Sequence, residues 1–467
     1  MVEFKNQRNP ILPLKYHVPD CEAHRMPDGK LYLYGSYDDL DTAYCSQEYH
    51  VISTGDMETW TIGDEPSFHT KEIPWLDAPD SPRYPGVDWY HPTPFLQKMI
   101  QNIIEAQKEK QGEIKAGNME SADAAQSGQD VGGQALLFAP DCISCNGKYY
   151  LYFCLSDNRE GVAVSDSPQG PFHDAVQLPC GGIDPAIFID DDGQAYYYWG
   201  QIYAKGVKLN EDMMSFDPEQ IVENLVTEEE HHFHEGSSMR KIGDTYYLVY
   251  ADVERGKPTS LGYATAKSPL GPFAYQGILI DNDGCDPKSW NNHGSIECVD
   301  GQWYIFYHRS SRNTDKNRRL CMEKIHINPD GTIDEVKMTS QGIGKPFAPG
   351  EEIMGYQACG LKGAVYIDAD TAYGYEEKLT HISDGDEIVF RYVKSETSWT
   401  RMELTCGGSG KIDVCLNENV AGTTAFSGAA GKKQVINVPI SMTAGEYELK
   451  LRIAKSQDLE ILSVRLW

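Results

Sequence analysis

The chain has 467 residues, too many for one ordinary domain, and its 40% apolar and 24% charged residues suit a globular protein with a large core. Its 41 Lys+Arg against 70 Asp+Glu leave a formal net charge of −29, which repels nucleic acids and anionic membrane surfaces and favours a small neutral partner. The first residues, "MVEFKNQRNPILPLKYH", lack the apolar stretch of a secretory signal, and no run of about 18 apolar residues predicts a spanning helix. Twelve cysteines are scattered singly; "CISC", Cys142 and Cys145, has no second pair to make a metal site, so buried thiols are expected. Reduced thiols favour the cytoplasm, the other reading being a secreted form whose signal has been removed.

In chain order, the first predicted element is "DGKLYLYGS" from Asp28, an Asx-Gly turn leading into an alternating aromatic strand. The same phrase returns as "NGKYYLYFC", "DGQAYYYWG", "GDTYYLVYA" and "DGQWYIFYH". After the second and fourth come "VAVSDSPQGPF" and "YATAKSPLGPF", a further strand and turn. From Gly147 onward the turns recur every 46 to 57 residues, the length of a four-stranded blade. Five such units predict a five-bladed β-propeller over residues 1–345. The longer first gap holds an insertion, 91–134. There Phe95, Leu96, Met99, Ile100, Ile103 and Ile104 keep helical spacing, followed by a small, polar stretch. From about 356 to 467, short alternating strands such as "DEIVFRYV" and "EILSVRLW" predict a C-terminal β-sandwich of jelly-roll type.

Counting back nine positions from each turn gives Asp20, Phe138, Asp184, Glu235 and, in the fifth unit, Asn292 or its neighbour His293. A residue that opens the innermost strand of a blade faces the mouth of the central channel, so three acids from three blades converge there. One acid at a strand start is usually a turn cap; three at matched offsets point to chemistry. Crowded carboxylates in a partly dry site have their pKa values driven apart, which provides one ionised base and one protonated acid. Glycoside hydrolysis with inversion requires that pair. The "HHFH" run, His231 to His234, suits packing in the site wall better than a metal cluster, with His234 nearest the acids.

The phrases "VPDCEAH", "FAPDC", "IDPAIFIDDDGQAYYYWG", "HEGSSMRKIGDTYYLVY" and "NNHGSIECVDGQWYIFYHR" resemble glycoside hydrolase family 43 over roughly residues 8–345. The resemblance implies Asp20 as general base, Glu235 as general acid, and Asp184 as the group that keeps the pKa of Glu235 raised and orients it. It implies Phe138 against the sugar, Arg318 (or its neighbour Arg319) reaching the substrate, and His293 facing a calcium ion in the channel. A single histidine is an unusual ligand for calcium, so waters would complete the shell. The C-terminal region resembles carbohydrate-binding module family 6, with Trp399, Tyr373 and Tyr375 as candidate sugar platforms and a structural or pocket-shaping role favoured. The activity implied is inverting, exo-acting release of xylose or arabinose from small xylan- or arabinoxylan-derived oligosaccharides. The alternatives are arabinanase or another activity of the family, and a non-catalytic sugar-binding propeller. Subunit number is not legible.

Overall fold

The computed structural model describes residues 1–39, 44–84, 86, 134–285 and 291–467. The helix and loop expected in the 91–134 insertion lie outside the described residues, apart from residue 134. The aromatic, alternating segments form five antiparallel sheets around one axis, the predicted propeller. Their innermost strands are Glu22–Arg25, Asp141–Cys145, Ala186–Ile189, Phe233–Ile242 and Ser295–Val299, and each packs beside its neighbours round the ring.

Each inner strand turns back into the aromatic run read from the sequence: Leu31–Tyr34, Lys148–Cys154, Ala195–Trp199, Thr245–Asp252 and Gln302–Arg309. Those runs are buried on both faces because adjacent blades stack on them. That is why tyrosine and tryptophan recur where a one-sided sheet would alternate with polar residues. The blades are unequal. The second and fourth have four strands, while the third and fifth have three.

The N-terminal segment closes the ring. Val2–Lys5 is the outer strand of the first blade, and a few residues later Ile11 N–H donates to Leu320 O of the fifth blade at 3.0 Å. Buried Asn9 reinforces the join through its amide, which donates to Met322 O, Glu323 and Thr339 O.

From Ile353 onward the chain builds a nine-stranded antiparallel sheet folded on itself as a sandwich. Trp399–Leu416 and Gly445–Leu466 pair along most of their length and enclose a separate apolar core. Trp399 is 1% exposed and belongs to that core, so it cannot be a sugar platform. Alternation along its strand sends it inward. Tyr373 is also buried, its hydroxyl bonded to Glu460, and Tyr375 is half-buried beneath Lys433. Cys142 and Cys145, like the other ten cysteines, are in no disulfide. No described helix is long and apolar enough to cross a membrane.

Candidate active site

Asp20, Asp184 and Glu235 precede or open inner strands of the first, third and fourth blades, and the ring brings them to one mouth of the channel. Asp20 and Asp184 share an unusual backbone conformation, with φ of 57° at both. An L-residue in the left-handed region costs energy and persists only where its surroundings hold it, as at functional sites. Glu235 sits on a bulge in its strand, next to Gly236 at φ 76°. Gly236 packs so tightly on His293 that an added Cβ would lie 2.8 Å from the imidazole. No other residue fits there.

His293, not Asn292, faces the mouth. Its Nδ1 lies 3.9 Å from Asp20 Oδ1 and 3.8 Å from Asp184 Oδ2. Asn292 is spent on structure, its amide donating to Thr259 O. Burial lowers the His293 imidazole despite the pull of Asp20 and Glu235.

The three acids have different surroundings. Asp20 is gripped by the Arg318 guanidinium, with Nη1 at 2.8 and 2.9 Å from its two oxygens, and Ser36 Oγ donates to it at 2.7 Å. Burial raises the Asp20 carboxyl, but the opposing influences, led by the Arg318 charge and joined by the Ser36 hydrogen bond, more than offset this and hold it below its ordinary value. Among the described residues no lysine or arginine is bonded to Asp184. Burial, then the charges of Glu235 and Asp20, push its carboxyl well above the ordinary range. Glu235 accepts a hydrogen bond from Gln201 Nε2 at 2.8 Å, and His234 Nε2 lies 3.9 Å away.

Arg318 is fully buried, and its donors are committed. Nε and Nη2 hold Asp38 at 2.9 and 2.8 Å, Nη1 holds Asp20 and donates to Tyr44 OH, and the Tyr44 ring lies 3.8 Å beneath the guanidinium carbon. Arg318, which the resemblance directs to the substrate, grips the Asp20 carboxylate here. Arg319 points the other way, toward the sandwich. Phe138 is at the mouth, edge-on to Tyr44 with ring centroids 6.0 Å apart, and in one apolar cluster with Ile183 beside Asp184.

The sequence reading missed Ser36, Gln201 and His308. Ser36 and Gln201 lie two residues past the end, and His308 one residue before the end, of the strand that pairs with an inner strand. Continuing the antiparallel register two residues places Ser36 opposite Asp20 and His308 opposite His293. His308 Nδ1 accepts the Asp20 backbone N–H at 3.2 Å, and Nε2 lies 3.0 Å from Asn291 Oδ1, which assigns the neutral tautomer protonated at Nε2. Burial, reinforced by Arg318, takes its pKa down to about 3 even though Asp20 pulls it up. It is an orienting acceptor, not an acid.

Deeper in the channel, Glu22, His24 and Asp141 bring their donor atoms within 4.8 Å of one another. His24 Nε2 lies 2.7 Å from Asp141 Oδ1, and Arg240 holds Glu22 at 3.2 Å. Glu22 Oε1 is buried without a hydrogen-bond partner among the described residues.

Residues 117–333 match the family model for glycosyl hydrolases family 43. A xylosidase/arabinosidase of Thermoclostridium stercorarium is 30% identical over 437 residues, covering 82% of this chain and 79% of the relative. The chain belongs to glycosyl hydrolases family 43. It is a glycoside hydrolase. Among solved structures, a family 43 β-xylosidase/α-arabinofuranosidase from a compost metagenome, in complex with xylotriose, aligns at TM-score 0.53. It is 27% identical, covering 72% of this chain and 99% of its own. An arabinoxylan arabinofuranohydrolase from Bacillus subtilis, 22% identical with TM-score 0.50, covers 98% of this chain and 97% of its own and so shares the fold of propeller and sandwich together. Family 43 membership accounts for the recurring acids. It leaves the residue roles to be derived.

Proposed function

We propose that this family 43 enzyme releases xylose or arabinose from the ends of small xylan- or arabinoxylan-derived oligosaccharides, with inversion at the anomeric carbon. The observation that carries the mechanism is the opposite treatment of Asp20 and Asp184, one held ionised by Arg318 and the other pushed toward its neutral form. Asp20 is the general base. It takes a proton from water as the water oxygen bonds to the anomeric carbon and the glycosidic C–O bond breaks. Glu235 delivers a proton to the departing oxygen. Asp184 stands beside it as a protonated neighbour, its carboxyl pushed well above the ordinary range by burial and by the charges of Glu235 and Asp20. Arg318 is assigned to the base, and Phe138 and His234 to the sugar's walls.

The sugars named for the relatives above support the substrate class. Hydrolysis of a nitrophenyl β-xyloside and α-arabinofuranoside, with linear arabinan as the endo control, tests it. Turnover of arabinan alone would move the assignment to an arabinanase.

For calcium, the neighbourhood of His293 fits poorly. It has one nitrogen, and the facing Asp20 oxygens already hold Arg318 and Ser36. We propose the deeper trio Glu22, His24 and Asp141 as the place for a divalent cation. There it would add positive charge beneath the acids, and no step of the reaction passes through it. Twelve cysteines, none of them in a disulfide, support a cytoplasmic placement.

A further inference from the structure

The two adjacent arginines that begin the last strand of the fifth blade point in opposite directions. Arg318 clamps Asp20 and Asp38 inside the channel mouth. Arg319 is directed outward and is nonetheless buried, because the C-terminal sandwich covers it. Its three nitrogens make three separate attachments. Nη2 donates to Glu377 of the sandwich, Nε to Ser311 Oγ at 3.2 Å, and Nη1 to Leu14 O at 2.9 Å. Leu14 lies on the segment that leads into Asp20. Ser311 in turn donates to Asn317 O and closes the loop that leads into Arg318. Arg319 therefore ties down both approaches to the Asp20–Arg318 pair.

Glu377 is the counter-charge that makes this arrangement tenable. It is 1% exposed, and Arg312 Nε also approaches it, at 3.5 Å. Loss of this carboxylate would leave two crowded guanidiniums without a partner beneath the sandwich, a situation that drives side chains apart. His17, three residues before Asp20, feels the same crowding. Burial first, then Arg319 and Arg312, take its pKa down to about 3.

We propose that Glu377, contributed by the sandwich, is a positioning residue for the catalytic base, acting through Arg319 on the Arg318 clamp. This rests on the reading of Asp20 as the base. It gives the accessory domain a place in the reaction of the bare enzyme, independent of any sugar binding of its own.

A positioning role and a merely structural one differ in what they move. A displaced base lowers kcat at unchanged KM, and the loss persists on a substrate with a highly acidic leaving group, because the attacking water must still be deprotonated.

The test uses the full-length enzyme, with kcat and KM measured on glycosides of poor and of highly acidic leaving groups and melting temperature alongside. Glu377→Gln is expected to lower kcat about tenfold on both substrates while KM stays within about twofold. Glu377→Asp should recover part of the loss. Glu448→Gln serves as control. It removes the partner of Arg391 elsewhere on the same interface, at 2.6 Å, and should cost stability without lowering kcat. Ser311→Ala, a milder change, should lower kcat by a smaller factor. A Glu377→Gln enzyme that loses melting temperature but keeps its kcat, or regains it on the acidic leaving group, overturns the inference. So does a Glu448→Gln enzyme whose kcat falls equally, or, where Glu377→Gln does not fold, an unchanged kcat in Ser311→Ala. Asp20→Asn measured in parallel separates the two claims. If it keeps full activity, the base assignment falls and takes this inference with it. If it is inactive while Glu377→Gln is unaltered, only this inference falls.

Discussion

Replacing Arg318 with methionine keeps the volume near the channel mouth but removes the one cation bonded to both Asp20 and Asp38. Two unit charges about 4 Å apart, at an effective dielectric of about 20, interact by about 4 kcal/mol. At about 1.36 kcal/mol per pH unit, that sets a ceiling of about 3 units on the rise in the Asp20 pKa. Water entering the vacated space screens part of it, so about 1 to 2 units is expected. The direction follows from the native state. Asp20 lies below its ordinary value, so it contributes stability above the unfolded pKa that is lost as pH falls through the folded one. The same ionisation defines the acid limb of catalysis, and in the variant activity should fail at a higher pH. Stability should fall by about 3 to 5 kcal/mol, the cost of leaving buried carboxylates unpaired. The assay is kcat/KM against pH on a nitrophenyl glycoside, with denaturation on the same samples. An acid limb that stays in place while stability falls would refute the assignment of Arg318 to the base and return it to the substrate.

Asp20→Asn and Glu235→Gln should each lower turnover by about 10² to 10⁴ on a substrate with a poor leaving group. With a highly acidic leaving group Glu235→Gln should recover most of its rate and Asp20→Asn almost none, and equal losses would remove the acid assignment. After chelation, added calcium should raise the melting temperature of the wild type and of His293→Ala but not of Glu22→Gln; the reverse pattern would move the cation to His293. Glu160 is buried with its carboxyl pushed up to about 8, with Tyr197 and Cys180 donating to it. A raised carboxyl stabilises the fold below its unfolded pKa and loses that contribution as pH climbs to about 8, so Glu160→Gln should flatten the decline in melting temperature between about pH 5 and 8. Trp399→Ala should destabilise the sandwich by about 3 to 5 kcal/mol, and residues 353–467 alone should not be retarded in xylan gels.

The repeat that marks the blades in the sequence also marks the acids, because the distance from a turn back to the channel mouth is the same in the first four hairpins and one residue shorter in the fifth. The partner strand carries an equivalent signal. Ser36 and His308 lie seven residues after Gly29 and Gly301, and Gln201 eight after Gly193. That downstream offset makes all three findable once the innermost pair is recognised as antiparallel. Arg318 is different. Its grip on Asp20 spans 298 positions, and no local pattern distinguishes an arginine that meets a sugar from one that meets a carboxylate. Glu377 belongs to another domain and becomes meaningful only when the sandwich lies against the fifth blade. Trp399 misleads for a related reason, since alternation shows which residues share a face but not which face the sandwich buries.

The account stands on a water molecule attacking from the side of Asp20 while Glu235 protonates the leaving group. Proton NMR of the sugar first released from a β-xyloside, read before mutarotation, tests this most directly. The α-anomer is predicted. First appearance of the β-anomer would make Asp20 a nucleophile and contradict the mechanism.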